Sequence, residues 1–214
     1  MAISDMDSSY IISIIIVLLL CFIILCKLPR YIIFWDYTID KTKKIQSEID
    51  NENYQVHKNH PDHEEAANTM ALLNSKAIKV MKYLSTLQRT TFITNLLDRY
   101  NFDKLIENSP KNPSGDTSYT ISKGRKLAIC LRNSDSGDFH DLNTLFFVML
   151  HELTHIGLDI NNHPPIFWRT FKYLLEKAYE IDEIILINYQ KNPTKYCGMV
   201  IDYNPIFDHT LDLI

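Results

Sequence analysis

The chain has 214 residues, of which 46% are hydrophobic and 22% are charged, a composition that suits one modest globular domain with additional segments. Its formal net charge of −4 at pH 7 argues against a broad basic surface, so nucleic acid is not an expected partner. The four cysteines include no CxxC pair. We therefore expect a reduced compartment, with Cys130 buried in a strand rather than joined to Cys197.

An apolar run rich in Ile and Leu stands near the N-terminus, and residues 11–28 are the predicted membrane span. At about 1.5 Å per residue, a helix over this run approaches the ~30 Å thickness of a bilayer core. We therefore expect a short tail over 1–9, a transmembrane anchor with its interface over 10–35 and a juxtamembrane connector over 36–60. Lysine and arginine follow the run, so the positive-inside rule predicts a single-pass protein with a cytoplasmic C-terminal domain.

The folded domain is expected over residues 61–214, and its first part, 61–110, has the pattern of helices. Asp62 and Glu65 resemble a capping box at a helix N-terminus. Apolar residues recur at alternating spacings of four and three from Ala66 to Leu87, which predicts one amphipathic helix. A second, shorter helix is predicted directly after it.

Two β-strands are predicted in the middle of the domain, over Tyr119–Ser122 and Lys126–Arg132. A turn-rich stretch follows, and Asp141 suits the N-cap of a helix that runs from Leu142 to about Gly157. The order is thus strand, turn and helix. An edge strand beside such a helix can bind an extended polypeptide by adding a strand, and Lys126–Arg132 is the predicted edge.

The predicted helix contains the stretch HELTH, in which His151 and His155 are four residues apart and Glu152 follows the first histidine. Residues i and i+4 share a helix face, so both imidazoles can bind one metal ion. The carboxylate of Glu152 can then act as general base on a metal-activated water, as in zinc metallopeptidases. The alternative is an ordinary helix with two buried histidines, but burying Glu152 without a partner would be costly.

A catalytic zinc site needs a third protein ligand, and His163 is the leading candidate. Gly157 can end or bend the helix, so the chain can fold back and bring His163 to the other two histidines. Four acidic residues remain alternatives for this third ligand: Glu176, Glu180 and Glu183 on the following helix, and Asp159.

The stretch HDLNTLFFVMLHELTH, followed by HPPIFWRTFKYLLEKA, resembles the WLM and SprT-like zinc metallopeptidases, and YCGMVIDYNPIFD is most similar to versions encoded by large DNA viruses. The resemblance covers residues 118–207 and implies a small zincin-like core with a short sheet and an HExxH helix. With the transmembrane helix and the helical middle segment, the expected fold class is α+β. The resemblance also implies Zn²⁺ as cofactor, His151, His155 and His163 as metal ligands, and Glu152 as catalytic base.

These features predict a membrane-anchored zinc metalloendopeptidase whose partners are a protein or peptide substrate and a lipid bilayer. Several family members act on proteins crosslinked to DNA, but this chain has no basic DNA-binding segment, so that substrate class is not carried over. The alternative is a non-catalytic virion membrane or minor capsid protein that retains the fold, with capsid or other virion proteins as partners in a virion or host internal membrane. The sequence does not bring Tyr196 or Tyr203 to the metal, and both stay outside the predicted site.

Overall fold

The computed structural model describes residues 13–20, 41–109, 117–121 and 124–211. The chain divides into two compact units, Met1–Lys41 and Thr42–Ile214. The strands of the second unit are β1 (Thr42–Gln46), β2 (Asn53–His57), β3 (Leu105–Asn108), β4 (Tyr119–Ile121), β5 (Lys126–Cys130), β6 (Thr194–Tyr196) and β7 (Met199–Ile201). Its α-helices are α1 (His63–Leu84), α2 (Thr91–Arg99), α3 (Leu142–Leu158) and α4 (Pro165–Glu180).

The predicted transmembrane anchor requires correction. Of the predicted span 11–28, the structure describes residues 13–20, which are helical; the rest lies outside the described residues. Within the described parts of the chain, no helix combines the length and the apolarity needed to cross a membrane. The transmembrane helix in the predicted fold class, and the prediction of a single-pass membrane protein with a cytoplasmic domain, are therefore wrong.

The main sheet has five strands in the order β1-β2-β3-β5-β4. The outer pairs β1–β2 and β4–β5 are antiparallel, whereas β2–β3 and β3–β5 are parallel. Parallel neighbours need a crossover connection, and α1 and α2 form the one between β2 and β3. The unit is therefore a mixed α/β structure in place of the predicted α+β class. Residues 36–60, expected to be a connector, contribute β1 and β2 to this sheet.

Helix α1 buries the apolar face that the sequence predicts, and this face packs on β2, α3 and α4. The predicted stripe from Ala66 is confirmed, although the helix ends at Leu84. The predicted capping box at Asp62 is wrong. Asp62 has a left-handed backbone with φ 57°, and its side chain makes no capping hydrogen bond.

Helix α3 is buried on nearly every side because α1, α2, α4, β4 and β5 all pack against it. Its continuous apolar sequence is typical of such a central helix. The predicted N-cap is confirmed: the Asp141 carboxylate accepts a hydrogen bond from the Thr144 N–H at 2.9 Å.

A second, two-stranded sheet is formed by the β6–β7 hairpin, whose turn residues Cys197 and Gly198 both have positive φ angles, 47° and 84°. Two such residues are typical of a type I′ hairpin turn. Cys197 is joined to Cys130 by a disulfide, so the expectation of an unpaired Cys130 is wrong. The reason is tertiary: the end of β5 lies against the hairpin turn, and the two Cα atoms are 6.3 Å apart, within the range that a disulfide spans.

Candidate metal centre

The three predicted histidines come together at the C-terminal half of α3 and the loop that follows it. The Nε2 atom of His163 lies 2.9 Å from that of His151 and 3.1 Å from that of His155. Nitrogens bound to one tetrahedral zinc ion at about 2.0–2.1 Å are roughly 3.3 Å apart. The arrangement therefore fits one metal ion held by three imidazoles.

His163 reaches the helix because the chain reverses directly after α3. Asp159 has φ 60° and ψ 39°, the left-handed conformation, and its N–H donates to the His155 carbonyl at 2.9 Å. A left-handed residue at this position is a common way to end a helix. The helix therefore ends at Leu158, within one residue of the predicted end near Gly157, and the residue with the left-handed backbone is Asp159.

Gly157 is needed for a different reason, the close packing of α2 on α3. A Cβ at this position would overlap the ring of Phe92. Helix α2 also caps the end of α3: Asn95 Nδ2 donates to the Gly157 carbonyl at 3.0 Å, and Arg99 Nη1 donates to the Ile156 carbonyl at 3.1 Å. A helix end leaves such carbonyls without an intrahelical partner. Helix α2 thus fixes the point from which the turn starts.

A backbone hydrogen bond orients one of the three imidazoles. His155 Nδ1 lies 2.8 Å from the carbonyl oxygen of Ile160, in the turn after α3. Because a carbonyl only accepts, Nδ1 carries the proton and the lone pair of Nε2 faces the centre. Such a bond is the usual support of a metal-binding histidine.

The environment keeps the three imidazoles neutral. Burial, together with the two neighbouring imidazoles, lowers the pKa of His151 to about 3. Burial also lowers the pKa of His155 to about 4, and it lowers the pKa of His163. Neutral imidazole is the form that binds a metal ion. Near pH 7 the cluster therefore offers three free lone pairs.

Two aromatic residues at the start of α4 pack against the cluster. The buried ring of Phe167 contacts all three imidazoles, with centroid distances of 4.7 Å to His151, 4.4 Å to His155 and 4.6 Å to His163. The Trp168 ring stacks on His163 at 5.4 Å. Helix α4 therefore packs beneath the histidines.

The acidic alternatives for the third ligand lie elsewhere. Glu183 pairs with Lys79 at 2.7 Å, and Glu180 pairs with Lys177 at 2.6 Å. Among the described residues, the group with metal-binding geometry consists of the three histidines and includes none of the four candidates Glu176, Glu180, Glu183 and Asp159.

Glu152 is buried and lines the cleft in front of the histidines. A hydrogen-bonded group that the sequence did not identify lies nearby. Tyr196 Oη donates to the Cys130 carbonyl at 2.9 Å and lies 2.6 Å from Ser118 Oγ, which also accepts the Cys130 N–H at 3.0 Å. Burial raises the pKa of Tyr196, and the charge of Glu152 adds to this rise. Tyr196 therefore stays a neutral phenol that ties β6 to the end of β5.

One edge of the main sheet, formed by β4 among the described strands, also borders this cleft. β4 is the edge strand and β5 lies between β3 and β4, so the prediction of Lys126–Arg132 as the edge is wrong. Ser118, Tyr119 and Thr120 line a cavity of ≈280 Å³ together with the three histidines. We refer to β4, residues 117–118 before it and the β6–β7 hairpin as the cleft wall.

Comparison with known proteins gives the class to which this fold and site belong. Residues 49–199 match the profile of the WLM domain. An uncharacterized protein of Acanthamoeba polyphaga mimivirus is 32% identical over 170 residues, which cover 77% of this chain and 85% of that protein. An uncharacterized protein of Invertebrate iridescent virus 6 is 35% identical over 95 residues, 44% of this chain and 51% of that protein. The chain therefore belongs to the WLM family, and its class is metallopeptidase-like.

Two solved structures are also similar. The crystal structure of a Wss1 mutant from Saccharomyces cerevisiae is 21% identical, covers 60% of this chain and 89% of its own, and has a TM-score of 0.48. The crystal structure of Wss1 from the same organism is 23% identical, covers 60% of this chain and 88% of its own, and has a TM-score of 0.46.

Proposed function

We propose that this chain is a zinc-dependent peptidase that hydrolyses peptide bonds in a protein or peptide substrate. One observation carries the proposal: three imidazole Nε2 atoms converge in a cleft that is also lined by the buried carboxylate of Glu152 and bordered by a sheet edge. This combination supports the proposal because it would provide a metal site, a base and a surface for an extended chain in one place.

Zinc is the proposed metal because the donor set consists of three neutral imidazoles. Catalytic zinc sites commonly have three protein ligands and one open position, whereas magnesium and calcium prefer oxygen ligands. A zinc ion held by His151, His155 and His163 would supply Lewis-acid polarisation of the scissile carbonyl and a lowered pKa for water. Phe167 and the carbonyl of Ile160 would hold the imidazoles in place.

Glu152 is the proposed general base. Its carboxylate would take a proton from the attacking water and deliver it to the amine that leaves. Its position directly after His151 on α3 brings it to the same cleft as the histidines. The edge of β4 would bind the substrate in extended form through backbone hydrogen bonds, which are independent of substrate sequence.

Metal content and hydrolysis test this proposal on the full-length protein. Wild type should bind one zinc per chain and hydrolyse an unfolded protein such as casein, and a chelator should stop the reaction until zinc is restored. His163→Ala should lose zinc and activity, whereas His209→Ala, which changes an exposed histidine outside the cluster, should keep both. Absence of zinc in wild type, or zinc without any proteolysis, would contradict the proposal.

A further inference from the structure

A second, mostly apolar cavity of ≈330 Å³ adjoins the candidate metal centre, and Glu152 lines this cavity as well as the one beside β4. Phe147 and Val148 of α3 contribute to its lining, as do Met199 and Ile201 of β7. The cavity therefore lies between the metal-binding helix and the hairpin of the cleft wall.

The mouth of this cavity is unusually apolar for a surface. Met199 and Val200 keep 48% and 51% of their area exposed, and both line the cavity. Single exposed apolar side chains are ordinary. Two adjacent ones at the rim of an apolar cavity, next to a reactive centre, are typical of a binding pocket.

The direction of β4 relates the cavity to a bound substrate. Thr117 and Ser118 line the apolar cavity, whereas Ser118, Tyr119 and Thr120 line the cavity beside the histidines. A strand added antiparallel to β4, the slightly more stable arrangement per residue, runs from Thr120 toward Thr117. The substrate residues after the scissile bond then face the apolar cavity.

We propose that this cavity receives the side chain that immediately follows the scissile bond and selects a large aliphatic or aromatic residue there. The inference rests on the proposed peptidase function and names its substrate preference. Asp202 and Glu152 also line the cavity, so an acidic side chain would meet negative charge there. A lysine would lose hydration in the apolar interior.

Mapping of cleavage sites in a peptide library tests the preference directly. With the zinc-loaded full-length protein, we expect Leu, Met or Phe after the scissile bond to be cleaved at least about 10-fold more efficiently than Ala. Cleavage with no preference at this position, or with an apolar preference only before the bond, would overturn the inference and leave the peptidase function standing.

Charged substitutions at the mouth connect the preference to this cavity. Met199→Glu should lower cleavage of peptides with an apolar residue directly after the scissile bond at least about 10-fold and favour Lys or Arg at that position, and Val200→Glu should change the preference in the same direction. Ile185→Glu is the matched control, because Ile185 is 72% exposed and does not line the cavity. An unchanged preference in both cavity variants, with folding and zinc content intact, contradicts the assignment.

A binding measurement separates failure of the inference from failure of the proposed function. In zinc-loaded Glu152→Gln, fluorescence anisotropy should show Leu-containing peptides binding at least about 10-fold more tightly than their Ala counterparts, with the difference lost after Met199→Glu. If wild type cleaves no peptide, the peptidase proposal fails. The binding result still shows whether the cavity selects apolar side chains. Equal binding of both peptides would show that it does not select apolar side chains.

Discussion

The candidate metal centre and the cleft wall opposite it are assembled in different ways. The three histidines lie within thirteen consecutive residues, 151–163, and one helix and one turn bring them together. The cleft wall combines residues 117–121 with the hairpin of residues 194–201. A disulfide and the hydrogen bonds of Tyr196 and Ser118 to the Cys130 backbone join it to the end of β5. Local geometry therefore explains the metal centre, whereas the shape of the cleft depends on long-range contacts.

The largest effect is expected at Glu152, where the two regions meet. Glu152→Gln should lower peptide hydrolysis by about 10²–10⁴-fold, because the amide cannot accept the proton of the attacking water. Zinc content should stay at the wild-type value, since the proposed ligands are the three histidines. Glu176→Gln is the control, because Glu176 lies outside the histidine cluster. Substantial hydrolysis by Glu152→Gln would remove Glu152 from the mechanism.

Removal of the Phe167 ring, which packs beneath the histidines, tests how strongly the metal centre depends on this contact. Phe167→Ala should lower the free energy of unfolding by about 3–5 kcal/mol, because a fully buried ring is removed, and zinc should bind more weakly because all three imidazoles lose a contact. Ile166→Ala, at a neighbouring position that is 44% exposed, is the control. Urea unfolding with and without zinc measures both effects. Unchanged zinc affinity would show that α3 and the turn suffice.

Removal of the disulfide frees the cleft wall from the end of β5 without changing a histidine of the metal centre. Cys197→Ser should lower the free energy of unfolding by about 2–5 kcal/mol, because the bond closes a long loop, and it should weaken peptide binding while zinc binding persists. The double variant Cys130→Ser with Cys197→Ser should be little worse than the single one, since both remove the same bond. Loss of zinc in Cys197→Ser would show that the wall and the centre are not separable.

The smallest of these effects concerns the end of α3. Gly157→Ala should destabilise the protein by about 1–3 kcal/mol, because the new methyl group overlaps the Phe92 ring. The cost should fall in a Phe92→Ala background, which leaves space for the methyl group. Thermal unfolding of the four proteins in this cycle gives the coupling between the two positions. If Gly157→Ala destabilised the protein equally with Phe92 and with Ala at position 92, contact with the Phe92 ring would not be the cause.

The sequence predicts features that depend on neighbouring residues. The stripe of α1, the N-cap Asp141 and the extent of α3 follow from periodicity and capping chemistry. The convergence of His163 with the HELTH histidines also follows, although the residue that ends the helix is Asp159 rather than Gly157. Asp tolerates the left-handed conformation that ends the helix. Only the tertiary structure shows that Gly157 is needed for the close packing of Phe92.

Other features required the tertiary structure. The short strands β1 and β2 lie in a polar stretch whose pattern resembles a connector, and they become strands by pairing with each other and with β3. β5 was predicted as the edge because it precedes the HELTH helix and an edge strand beside such a helix can bind an extended chain. Its continuous apolar residues are instead typical of a strand buried between two neighbours. The apolar run near the N-terminus predicted an anchor from length and hydropathy, properties that do not establish a continuous membrane-spanning helix.

The sequence by itself predicted that the three histidines converge and that Glu152 follows the first of them, because one helix and one chain reversal bring residues 151–163 together. Only the tertiary structure decided which strand forms the edge, that Cys130 meets Cys197, and that an apolar cavity adjoins the centre. Those outcomes depend on which distant segments come into contact, and the spacing of residues along the chain does not encode that choice locally.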